Sequence, residues 1–208
     1  MKFKVIDKEN WERKEYFDYY YSNVPCTYTM TVKLNITKIR EAEQKLYPTL
    51  LHSITKIVNK HDEFKTSFNS NNQLGVFDYM FPHYTIFHKD SETFSNIWTE
   101  YTEDYDVFYE LYKRDMRDFG TIKKREAKPD LPANCFNILA IPWIVFESFN
   151  LNLQNNRDNL LPVFIMGKYY EEDGNLILPL SIQVHHGLCD GFHLCRFVNE
   201  LQYIINRL

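Results

Sequence analysis

The stretch Leu176-Ile177-Leu178-Pro179-Leu180-Ser181-Ile182-Gln183-Val184-His185-His186-Gly187-Leu188-Cys189-Asp190-Gly191 changes periodicity once, and the change sets the architecture. Up to Val184, the apolar Leu176, Leu178, Leu180, Ile182 and Val184 alternate with Ile177, Pro179, Ser181 and Gln183. That period of two is a β-strand whose even-numbered side chains share the core face. Continued by parity, His186 points to the core and His185 away from it. Gly191 suits a tight turn because it lacks a side chain. From about Phe192 the period becomes helical, with Phe197, Leu201, Ile204, Ile205 and Leu208 on one stripe running to the end of the sequence.

Working outward, Thr27 to Ile36 alternates in the same way, with Tyr28, Met30, Val32, Leu34 and Ile36 on one face of a half-buried strand. Arg40 to Lys60 reads as an amphipathic helix on Leu46, Leu50, Ile54, Ile57 and Val58. Leu74 to Tyr79 and Tyr84 to His88 read as a hairpin joined through Pro82. Ser95 to Arg117 fits helical spacing and Gly120 closes it. Thr121 to Asn134, with Pro129 and Pro132, is an extended loop. Asn137 to Phe146 and Leu161 to Tyr170 are apolar strands separated by a polar loop from Asn150 to Asn159. The sum predicts an α/β (α+β) fold: a two-layer sandwich of a mixed, largely antiparallel sheet with helices.

A length of 208 residues with 44% hydrophobic content suits one domain over 1–208. A net charge of −4 gives no basic footprint for nucleic acid. Charges run through the first ten residues, and no apolar stretch approaches a membrane span, so a cytoplasmic protein without a membrane partner is expected. Cys26, Cys135, Cys189 and Cys195 form no CxxC pair and are expected as free thiols.

The strand end carries the candidate chemistry. A neutral imidazole at His186 can take a proton from an alcohol or thiol at neutral pH, and Asp190 follows it by four residues. Three other readings compete. A single inward histidine is most often a satisfied core residue. A zinc site on His185, His186 and Asp190 would need adjacent strand residues to meet one ion although they face opposite ways, so no metal is expected. A nucleophilic pair of Cys189 or Cys195 with a histidine would need a lowered thiol pKa. Spacing alone leaves these readings open.

The segment from Leu178 to Glu200 resembles the C-terminal HHxxxDG signature of type A chloramphenicol acetyltransferases. Asn10 to Phe17 resembles that family's opening NWxRxEYF. Tyr84 to His88 and Glu92 to Ser95 resemble its middle, and Pro142-Trp143 with Ser148 to Asn152 resembles its PW…FNLN segment. The likeness covers nearly the whole chain. It implies the CoA-dependent acyltransferase fold and a homotrimer with active sites at subunit interfaces. It also implies transfer of acetyl from the co-substrate acetyl-CoA to a drug hydroxyl in a ternary complex. On this resemblance His186 is the general base, and Asp190 pairs with Arg13 to brace its loop. The acceptor pocket maps onto Tyr20, Val24, Cys26, Phe94, Phe149, Leu151 and Val163, and the coenzyme side onto Lys168 and Tyr169.

Two positions depart from the family pattern. Ahead of Pro142-Trp143 the family carries a serine whose hydroxyl stabilises the oxyanion; here Leu139 occupies that place. In the strand from Pro162 to Tyr169 the family has a threonine, and here Ile165 replaces it. Both changes remove polar groups and point to a slower enzyme or a different acceptor. The alternative expectation is a trimeric homologue that binds drug or coenzyme with little turnover. An acyltransferase core of the 2-oxo-acid dehydrogenase type shares the histidine motif, but this length leaves no room for a lipoyl domain and its linkers.

Overall fold

A computed structural model of the chain describes residues 2–152 and 158–208. In chain order the elements begin with β1 (Phe3–Val5), α1 (Lys14–Asp18), β2 (Thr27–Asn35), α2 (Thr37–Glu41) and α3 (Leu46–Lys60). Then come β3 (Thr66–Phe68), β4 (Leu74–Phe77), β5 (Phe81–His88), β6 (Thr93–Trp98) and α4 (Tyr105–Phe119). The last are β7 (Cys135–Ala140), β8 (Val163–Met166), β9 (Tyr170–Glu172), β10 (Asn175–His185) and α5 (Gly191–Ile205). The main sheet has seven strands, ordered β2-β10-β8-β7-β5-β6 with β9 paired to β10. Its pairs are antiparallel except β5 with β7 and β7 with β8. A second sheet has the order β1-β4-β3. The expected mixed, largely antiparallel sheet with helices is present.

The two faces of the main sheet differ. Leu178, Leu180, Ile182, Phe164, Ile138 and Tyr84 are buried in one core with Leu50, Leu51 and Ile54 of α3 and Leu194, Phe197 and Leu201 of α5. Burying each such side chain contributes about 1.5–3 kcal/mol. The opposite face carries the residues between them. Register aligns Thr31, Ser181, Ile165 and Leu139 in one row across four strands, and Gln183, Val163, Asn137, His83 and Trp98 in the next. Part of this face is covered by the segment after Phe146. Ser181 Oγ donates to the Phe149 carbonyl at 2.7 Å and Gln183 Nε2 to the Leu151 carbonyl at 3.0 Å.

β10 is therefore buried on both sides along most of its length, and the parity argument for the histidines fails. The strand ends at His185, which is 1% exposed, while His186 lies past the end and is half-buried. Four other expectations are corrected. The helix expected from Arg40 is two helices, because the chain turns through Glu43 at φ 56° and Pro48 is tolerated only in the first turn of α3. β4 and β5 form no hairpin. Asn59 holds the intervening Met80 through both backbone groups, at 2.7 and 3.0 Å, so the chain leaves one sheet for the other. The first part of the helix expected from Ser95 is strand β6, where Ser95 and Ile97 are buried and Phe94, Asn96 and Trp98 face the other way. Asp104 then caps α4 by accepting from the N–H groups of Asp106 and Val107 at 2.9 and 3.1 Å, and Gly120 ends it.

The fourth correction concerns the two apolar strands, which are shorter than expected. β7 stops at Ala140 before Pro142, and Leu161 to Tyr170 is split between β8 and the start of β9. The loop expected from Asn150 to Asn159 lies partly outside the described residues. Within the described residues no helix is long and apolar enough to cross a membrane. The four cysteines are free thiols.

Candidate active site

The sharp turn from β10 into α5 is held from outside by Arg13, which precedes α1. Its Nε donates to the Gly187 carbonyl at 2.8 Å and its Nη2 to the His186 carbonyl at 3.1 Å. Nη1 and Nη2 also donate to Asp190 Oδ2 and Oδ1 at 2.9 and 2.7 Å. A planar guanidinium is suited to such a fork, because its donors are fixed relative to one another. The Arg13 hydrogen bonds hold the Asp190 carboxyl below its ordinary range against the opposing effect of partial burial. Asp190 is also the N-cap of α5, and its backbone N–H donates to His193 Nδ1 at 3.0 Å.

His186 is fixed by packing as well as by its backbone. Its N–H donates to the Cys26 carbonyl at 3.1 Å, and its ring stacks on Tyr20 at 3.9 Å with 13° between planes. Tyr28 meets the same ring edge-on at 5.2 Å. Nδ1 is enclosed, without a hydrogen-bond partner, and lies 3.5 Å from Asp190 Oδ1. Nε2 is thus the nitrogen left to meet a substrate, on a side chain 31% exposed.

The neighbouring His185 cannot serve. It is packed against Phe17 and Tyr21, and its Nδ1 accepts from the Gly187 N–H at 3.1 Å. Burial, aided by the adjacent His186, pushes its pKa down to about 4. Gly187 leaves room for this close contact. A Cβ there would lie 3.0 Å from His185 Nδ1 and 3.3 Å from Phe17 Cδ2. The cysteine reading also loses ground, since burial raises the Cys189 thiol well above its ordinary value.

Two cavities flank the sheet. One of about 910 Å³ is lined by Lys168 and Tyr169 together with Phe87, Phe94, Leu139 and Trp143. The other, of about 570 Å³, is lined by Phe94, Leu139, Leu151 and Val163 together with Asn96 and Asn137. Phe94 and Leu139 belong to both, so the cavities adjoin at these two side chains. The other acceptor residues expected from the sequence lie elsewhere in the chain. Tyr20 is on His186, Val24 is exposed, and Cys26 is half-buried beneath the His186 backbone. Phe149 packs on Phe146 at 5.8 Å, and its carbonyl accepts from Ser181. His186 itself lines neither cavity.

At the expected polar positions, Leu139 forms cavity wall and Ile165 is fully buried beside it in the sheet. Sequence reasoning missed Phe87, which meets Trp143 edge-to-face at 4.6 Å, and the polar pair His83 and Asn137. The alternation within β5, where Phe81, His83, Thr85 and Phe87 share a face, was the available signal.

The sequence profile of chloramphenicol acetyltransferase matches residues 1–202. The chain belongs to the chloramphenicol acetyltransferase family. It is 56% identical over 206 residues to a chloramphenicol acetyltransferase of Clostridium perfringens, covering 99% of this chain and 100% of that one. It is also 56% identical over 207 residues to one of Campylobacter coli, with 100% of each covered. A solved chloramphenicol acetyltransferase shares the fold, with a TM-score of 0.85 at 21% identity over 98% of this chain and 100% of that one. The fold extends to the dihydrolipoamide acetyltransferase of Azotobacter vinelandii, with a TM-score of 0.65 at 18% identity, covering 92% of this chain and 85% of that one. The chain is thus an acyltransferase of the chloramphenicol acetyltransferase family.

Proposed function

We propose that this protein transfers acetyl from acetyl-CoA to a hydroxyl of chloramphenicol or a similar compact aromatic alcohol, with His186 as general base. The observation that carries the reading is His186 itself. Its Nδ1 side is enclosed, its ring is held by Tyr20, its backbone is clamped by Arg13, and Nε2 remains accessible. Nε2 takes the proton as the acceptor oxygen attacks the thioester carbon. The C–S bond then breaks, and the proton passes from Nε2 to the departing thiolate. No covalent acyl-enzyme forms.

Lys168 and Tyr169 at the larger cavity supply a cation and an aromatic face for the coenzyme's phosphates and adenine. Phe94, Leu151 and Val163 supply apolar wall for the acceptor. Phe87, Phe94, Trp143, Ile144 and Tyr169 are all exposed around these cavities, the kind of patch that marks an interface. With His186 lining neither cavity, this favours a homotrimer in which His186 of one protomer faces its neighbour's cavities. An enzyme of this kind works where acetyl-CoA is made, in the cytoplasm.

Leu139 and Ile165 support a second reading, a trimeric homologue that holds drug or coenzyme with little turnover. Calorimetry with chloramphenicol, paired with mass-spectrometric detection of its acetyl ester, separates the two. Ester formed catalytically supports the first, whereas tight binding without ester supports the second.

A further inference from the structure

Four backbone groups set the place of the His186 side chain, and all four are held. The His186 N–H donates to the Cys26 carbonyl at 3.1 Å, and the His186 carbonyl accepts from Arg13 Nη2 at 3.1 Å. The Gly187 carbonyl accepts from Arg13 Nε at 2.8 Å. The remaining group, the buried Gly187 N–H, donates to His185 Nδ1 at 3.1 Å. Arg13 thus grips the turn from one side and His185 from the other. The His185 carbonyl also accepts from the N–H groups of Leu188 and Cys189, each at 3.0 Å, so three successive amides of the turn are directed at this one residue.

The imidazole is not there for its bulk. A backbone N–H can only donate, so His185 Nδ1 accepts and the ring proton sits on Nε2. Nε2 is enclosed and has no hydrogen-bond partner among the described residues. An unpaired buried donor is unfavourable, and an apolar side chain would fill the same space without it. What the imidazole adds is the acceptor at Nδ1. The rings are matched in the same order as the backbone. Tyr20 stacks on His186 and Tyr21 packs on His185 at 6.3 Å, so two consecutive tyrosines bear on two consecutive histidines. Phe17 stacks on Tyr21 at 5.1 Å and flanks His185 at 6.4 Å.

We infer that His185 is a positioning residue for acetyl transfer: through Nδ1 it fixes the Gly187 amide, and with it the backbone from which His186 Nε2 reaches the acceptor hydroxyl. It touches no substrate and takes no proton in the reaction. The inference rests on the acetyl-transfer reading for the role of His186, but not for the grip on the turn.

The test separates ring from acceptor. His185→Phe keeps a ring against Phe17 and Tyr21 but cannot accept a hydrogen bond. His185→Asn loses the ring but carries Oδ1 the same number of bonds from the backbone as Nδ1. Hydrogen exchange at the Gly187 amide, read by mass spectrometry with fragmentation, and thiol release with acetyl-CoA and chloramphenicol are measured on wild type and both variants. Wild type is expected to protect the amide. In His185→Phe that protection is lost while β10 stays protected, and kcat falls about 10–10²-fold with KM within about twofold, the pattern of a displaced base. His185→Asn recovers the protection and brings kcat to within about threefold of wild type, although it is less stable to heat. A role in packing alone gives the reverse order, with His185→Phe the more active, and overturns the inference. Should His185→Phe fail to fold, a kcat in His185→Asn reduced beyond about tenfold overturns it as well. So does a Gly187 amide that exchanges freely in wild type, a measurement that needs no variant. Wild type without thiol release overturns the acetyl-transfer reading, and the exchange data still decide whether His185 holds the turn.

Discussion

Arg13 and Asp190, 177 residues apart in the sequence, meet through two hydrogen bonds of 2.9 and 2.7 Å, and the same guanidinium holds the carbonyls of His186 and Gly187. The N-terminal segment is thereby fastened to the loop that carries His186, the proposed base. Asp190→Asn is expected to lower stability by about 1–3 kcal/mol, the range for charged hydrogen bonds at a partly exposed carboxylate. It should reduce kcat more than it raises KM, because the carboxylate braces the loop without touching the acceptor. Urea unfolding and steady-state kinetics on the same preparation check both. Because Arg13 lowers the folded-state pKa of Asp190, this contribution is present above the ordinary aspartate range and lost as pH falls through the lowered value.

His185 predicts a different acid sensitivity. Burial holds its folded-state pKa at about 4, while in an unfolded chain it titrates near the ordinary histidine value of about 6.5. Between those values the unfolded state binds a proton that the folded state excludes, so stability falls as pH drops from about 6.5 to about 4. The loss is on the order of 3 kcal/mol. His185→Gln, which can still accept the Gly187 N–H, should flatten the pH dependence in that window. Denaturation midpoints at pH 7 and pH 5 measure it.

Leu139 and Ile165 predict a gain. Leu139→Ser restores a hydroxyl where the two cavities adjoin and should raise kcat by up to about 10²-fold. Ile165→Thr places a hydroxyl opposite Ser181 in the sheet and should add to that gain. It should also cost about 1–3 kcal/mol of stability, because the position is fully buried. Steady-state kinetics and thermal unfolding of the single and double variants test both effects.

In the proposed homotrimer with shared sites, the exposed patch of Phe87, Phe94, Trp143 and Ile144 is buried between protomers. Sedimentation should give about three times the 25.1 kDa chain mass. Mixed assemblies of His186→Ala with a cavity-blocked Val163→Trp variant should regain activity that neither parent has. Activity regained by mixing requires base and cavity from different chains.

How much of this was legible in the sequence differs by feature. The alternation in β10 and β2 and the helical stripe of α5 are written in local periodicity, and the structure contains all three. The side of the sheet on which each histidine is buried is not local. It depends on the segment carrying Phe149 and Leu151 lying over β10, and on Phe17 and Tyr21 enclosing His185. The false hairpin has a similar cause, since it is Asn59, about twenty residues earlier, that redirects the chain at Met80. The grip of Arg13 on Asp190 came from family resemblance rather than periodicity. The scatter of Tyr20, Val24 and Cys26 away from Phe94, Leu151 and Val163 within one chain could be seen only from coordinates.

The most direct test of the account is the rate of thiol release from acetyl-CoA in the presence of chloramphenicol, for wild type and for His186→Gln of matched thermal stability. Measurable turnover is expected of the wild type and a drop of about 10²–10⁴-fold in the variant, the contribution of a positioned general base. Turnover by His186→Gln at the wild-type rate, or wild-type turnover no faster than the uncatalysed background, would contradict it.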